Sequence, residues 1–120
     1  MSGDSSSAGP ERRKTHRRQP RPGVTVNFRL GTLGLGPDLA LGAVDLHEDG
    51  LCLRLKAAVN PGAEAEVGVS RAGWGRALKF MAEVRWCREA GDGTFLVGVQ
   101  LRKRMLHKDL SELVRGYAMA

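Results

Sequence analysis

Aromatic side chains are scarce in this chain: three Phe, two Trp and one Tyr among 120 residues. That scarcity argues against a module for single-stranded nucleic acid, which would stack successive bases on aromatic rings. There are only two cysteines, Cys52 and Cys87, each inside a run that alternates like a strand. Together with His16, His47 and His107 they show no zinc-ligand spacing, so no metal site is expected. A reducing compartment favours free thiols, though the sequence leaves a disulfide pair open. No apolar run is long enough to cross a bilayer, so membrane insertion is not expected. The opening stretch MSGDSSSAGP lacks the apolar centre of a secretory signal, which points to a cytoplasmic protein. Asp45, His47 and Cys52 contain the ingredients of a nucleophile and its base, but no nucleophile elbow or activating context surrounds them. GTLGLG at 31–36 has neither a following Lys-Ser/Thr pair nor a helix, so it is a poor phosphate loop. The expectation is a binding protein, not an enzyme, with no cofactor.

What the chain does have is positive charge, unevenly placed. The net charge is +6. Residues 1–21 hold six Lys/Arg against two acids, and residues 22–120 hold thirteen against eleven. The basic character therefore sits at the front. RRKTHRR, residues 12–18, has Arg, Lys or His at six of seven positions. On its own this run reads either as a solvated tail or as half of an anion site. A short basic arm on a nearly neutral body suits a compact anion or a nonspecific polyanion.

One domain and a tail fit this length. Residues 1–10 are Ser/Gly-rich and have almost no apolar side chains to offset ordering entropy, so a disordered tail is expected there. Residues 11–23 are basic and contain Pro20, Pro22 and Gly23, which resist helix and central strand. This segment reads as an extended arm. From Val24 the pattern alternates strictly, with Val24, Val26, Phe28 and Leu30 on one face. Further strands follow over Ala40–Leu46, around Leu51–Leu55, from Ala63 to Val69, over Ala77–Arg88 and from Phe95 to Leu101. In the fifth, the alternation sets Leu78, Phe80, Ala82, Val84 and Trp86 on the core face. EAGDG at 89–93 is a hairpin turn. Leu106, Leu110, Leu113, Val114 and Tyr117 then recur at three and four, predicting an amphipathic helix over 105–117. Six short strands at this spacing predict an all-β fold, an antiparallel barrel or sandwich over 24–102, with the helix covering one opening or edge.

Two motifs carry chemistry. Arg13 and Arg17 form R-x-x-x-R, and four extended residues span about 13 Å, the scale of a dinucleotide. A guanidinium fork binds phosphate or a base edge bidentately and stacks on purines. Asp45-Leu46-His47-Glu48-Asp49-Gly50, at the end of the second strand, is D-x-H-x-x-G. A carboxylate there can accept two N–H bonds from a guanine edge. Gly50 permits either a positive φ or a close approach. An ordinary acidic turn fits the same residues.

Arginine arm, alternating strand and D-x-H-x-x-G come in the order of the PilZ domain, and AEVRWCREAGDGTFLVGVQL at 82–101 resembles that family's late hairpin. The resemblance covers roughly residues 11–115. It implies a six-stranded antiparallel barrel with a C-terminal helix, and cyclic di-GMP as ligand. By resemblance Arg13 and Arg17 hold phosphate or guanine, Asp45 reads a guanine edge and Gly50 closes the second motif. His47 stands where the family usually has Ser: a larger group that can carry a proton near neutral pH and donate to phosphate or guanine. Arg12, Lys14 and Arg18 add positive charge, and Arg12 and Arg18 join the candidate ligand set. The resemblance implies a bacterial second-messenger receptor whose arm folds over the barrel and signals to an unidentified downstream protein. The first alternative is a PilZ-like adaptor that acts by protein contacts without nucleotide. The second is a nucleic-acid module led by the arm, which the low aromatic content disfavours.

Overall fold

The computed structural model describes residues 18–115. Residues 1–17 and 116–120 lie outside the described set, so the expected tail, most of the arm and Tyr117 do too. Six strands appear in chain order: β1 (Val24–Leu30), β2 (Ala40–Leu46), β3 (Gly50–Leu55), β4 (Glu64–Arg71), β5 (Ala77–Glu89) and β6 (Phe95–Leu101). A single helix, α1 (His107–Leu113), follows. Every pairing is antiparallel, in the order β1-β4-β5-β6-β3-β2. The expected all-β class is what the chain adopts.

The sheet curls until its two outer strands meet, giving a nearly closed barrel. Asp38 makes the seam. Its Oδ1 accepts the backbone N–H of Phe28 at 2.9 Å and of Ala40 at 3.0 Å. The Leu39 N–H donates to the Phe28 carbonyl at 2.8 Å. An edge that would otherwise present unpaired N–H and C=O groups is thereby partly satisfied.

Alternation explains the core. Phe28, Leu51, Leu53, Leu55, Ala65, Val67, Val69, Ala82, Val84, Val97, Val99 and Leu101 are all buried, two residues apart on their strands. Leu110 and Leu113 of α1 are fully buried against them, so the helix closes one part of the barrel.

Two expectations need correction. Trp86 does not face the core. A β-bulge lies between Val84 and Trp86: Val84 pairs with Val99, but Trp86 pairs with the very next residue, Gly98. The extra residue, Arg85, flips the faces of those that follow. Trp86 is consequently 41% exposed, while Cys87 packs against the core.

The helix is also shorter than 105–117. Leu106 is its N-cap and stands 66% exposed. At the other end Val114 is extended, with φ −117° and ψ 153°, and forms an antiparallel bridge with Pro20. Arg115 N–H donates to the Gln19 carbonyl, and Arg21 N–H to the Leu113 carbonyl. The chain leaves the helix to pair with the incoming segment, and a β-branched valine suits that extended position.

A loop also docks on α1. Trp74 Nε1–H donates to Glu112 Oε1 at 2.9 Å, and Arg71 donates to the Glu112 carbonyl at 2.7 Å. Trp74 is thus a loop side chain folded back onto the helix.

Candidate ligand-binding site

The site begins at the β2–β3 turn. Asp45 pairs with Cys52 across the hairpin, and the His47 N–H donates to the Gly50 carbonyl at 2.9 Å, closing the turn. Residues two apart on a strand share a face. Leu46 therefore points into the core, fully buried, while Asp45 and His47 lie together on the outside. His47 Nε2 is 3.4 Å from Asp45 Oδ1.

Gly50 has a reason of its own. It is not among the glycines with positive φ; instead a Cβ there would lie 2.9 Å from the Val99 carbonyl oxygen. Of the two roles open to it from sequence, close backbone approach is the one it plays in the fold.

Glu48 and Asp49 complete the turn in another direction. Their carbonyls accept the N–H groups of Met105 and Leu101. The Glu48 carboxylate lies 3.6 Å from both Arg104 and His107 Nδ1. These acids tie the turn to the approach to α1.

Asp45, His47 and Gly50 line one open cleft of about 220 Å³, with Leu51, Cys52, Arg85, Trp86, Gly98 and Val99. Three of the seven sequence-derived candidates are thus brought together. Arg18 enters beside them through its backbone: its carbonyl accepts the Leu46 N–H at 3.0 Å, one residue from Asp45. Arg12, Arg13 and Arg17 lie outside the described residues.

Arg85 faces outward as strict alternation has it, but Trp86 was missed from sequence because the bulge that turns it outward is invisible to that alternation. A signal was present. Trp86 and Cys87 are neighbours, so only one can face inward, and Gly98 on the partner strand leaves room for a ring outside. The indole lies so close over Gly98 that any Cβ there would overlap Nε1. Arg88 Cζ is 5.4 Å from the ring centroid, within cation–π range.

Chemically the cleft offers a carboxylate acceptor, an imidazole, a guanidinium and a flat aromatic face within one concavity. That set suits a ligand combining a planar hydrogen-bonding base with anionic oxygens. Among the described residues no cluster of His, Cys, Asp and Glu could hold a metal ion, and Cys52 and Cys87 form no disulfide. No helix of the described residues is long and apolar enough to cross a membrane.

A nearly closed antiparallel barrel with this cleft at a strand-end turn defines a small barrel module. The chain belongs to the PilZ domain family, whose model matches residues 11–118. PilZ domains are in general cyclic di-GMP-binding modules. No curated protein and no solved structure matches the chain.

Proposed function

We propose that this PilZ domain binds cyclic di-GMP between its N-terminal arginine arm and the β2–β3 cleft, as a bacterial second-messenger receptor. One observation carries the reading: Asp45, His47 and Gly50 line the same cleft, at the point where the arm joins the barrel. Arg17 is one peptide bond from Arg18, and Arg13 is five residues away, at most about 17 Å of extended chain. Both guanidiniums are within reach of a ligand in the cleft. Asp45 accepts the N–H groups of one guanine, Trp86 offers it a stacking face, and the arginines with Arg85 and His47 meet the two phosphates. The dianion favours the arm-closed population because only that state adds the arm's arginines to the cleft's own cations. The output is a changed surface read by another protein.

Tryptophan fluorescence tests this in a Trp74→Phe background, where Trp86 is the sole reporter. The expected result is saturable quenching by cyclic di-GMP and none by GMP at equal concentration. Identical responses to both would defeat the dinucleotide reading.

One observation favours the adaptor reading. His47 fills the usual Ser position and its ring lies against Asp45, the group that would read guanine. If the imidazole occupies the guanine edge's place, His47→Ser creates binding where wild type has none.

A further inference from the structure

A second concavity lies where α1 fails to cover the barrel. Leu78 and Phe80 point inward on β5, on the same face as buried Ala82 and Val84, yet both are only partly buried. The helix reaches Leu110 and Leu113 into the core, but its N-cap Leu106 stands two-thirds exposed. Leu78, Phe80 and Leu106 make the floor and wall of a groove of about 370 Å³. Three cations, Lys79, Lys103 and Arg104, line it with a single acid, Asp109. Asp109 is buried and held by Arg76 Nη2 at 3.2 Å, so it does not offset the rim. Lys79 and Arg104 have acidic neighbours only at 3.9 and 3.6 Å, with both cation side chains over 70% exposed. Such pairs are weak and readily exchanged for a partner's carboxylates.

We propose that this groove docks a segment of another protein that carries large apolar side chains flanked by Asp or Glu. The volume accommodates apolar side chains against Phe80 and Leu106, and the rim selects negative charge around them. A second copy of this chain fits poorly. A two-fold contact would set the cationic rim against itself, on chains that each carry +6. The proposal does not rest on the nucleotide reading, and its test uses no nucleotide.

The test is fluorescence anisotropy of the full chain with a labelled amphipathic peptide, Leu and Phe at i, i+3, i+4 and i+7 and Glu elsewhere, against the same peptide with Lys for Glu. The expected result is saturable binding of the acidic peptide at or below about 100 μM, at least about tenfold tighter than the lysine version. Leu106→Asp and the pair Lys103→Glu/Arg104→Glu weaken it at least about tenfold. Leu106 is exposed, so its substitution leaves the fold intact, as a thermal melt will show. No saturable binding, equal binding of both peptides, or indifference to Leu106→Asp overturns the proposal. A dimer in sedimentation that Leu106→Asp dissolves also overturns it, in favour of a second copy.

Discussion

The indole of Trp86 lies directly over the backbone of Gly98, on the outer face of the barrel, where no other residue type leaves it room. The bulge at Arg85 turns the ring outward and the glycine holds a place for it. Gly98→Ala pushes the ring off its seat. The expected cost is about 1–3 kcal/mol of stability, the range for overpacking, with weaker cyclic di-GMP binding. Urea denaturation and calorimetry read the two effects. Unchanged stability would mean that the ring is not seated there.

Asp45 and His47 form a partly exposed pair at 3.4 Å, a separation at which an ion pair contributes little to folding. Asp45→Ala is therefore expected to leave the melting temperature nearly unchanged. It should weaken cyclic di-GMP binding by about 1.5–3 kcal/mol, the range for hydrogen bonds to a charged group. A loss of both binding and stability would make Asp45 a structural residue instead.

The strands were legible because each is a run of alternating apolar residues, and Leu51-Cys52-Leu53-Arg54-Leu55 is the plainest. The D-x-H-x-x-G turn was legible as a candidate site because its spacing puts Asp45 and His47 on one face. Trp86 was not, because a bulge adds one residue and inverts everything after it. The end of α1 was not, because Val114 fits the helical period but is captured by Pro20, ninety-four positions away. The groove by Leu106 was hidden for the same reason. Periodicity gives a helix its face, but not how much of the barrel that face covers.

Asp38 holds the barrel seam through two backbone N–H groups. Asp38→Ala leaves both without that acceptor, at an expected cost of about 1–3 kcal/mol. Hydrogen exchange at Phe28 and Ala40 should accelerate more than at Val67 or Val84 in mid-sheet. Uniform acceleration across the sheet would show that the seam is not a local closure.

Asp92, at the β5–β6 turn, accepts from the Thr94 hydroxyl and the Thr94 N–H. The hydroxyl bond first, then the amide bond, holds its carboxyl below the usual value. A lowered folded-state value stabilises above the unfolded one and is lost as pH falls through the folded one, here below about pH 4. Carboxyl chemical shifts followed through an acid titration should place Asp92 below an unstructured Asp, and Thr94→Val should bring it back up.

The central claim is that arm and cleft form one site for a dinucleotide. Calorimetric titration of cyclic di-GMP into wild type and Arg13→Ala tests it most directly. The account predicts saturable binding in the micromolar range for wild type and at least about tenfold weaker binding for Arg13→Ala. No heat of binding by wild type at tens of micromolar, or equal affinity in both proteins, would contradict it.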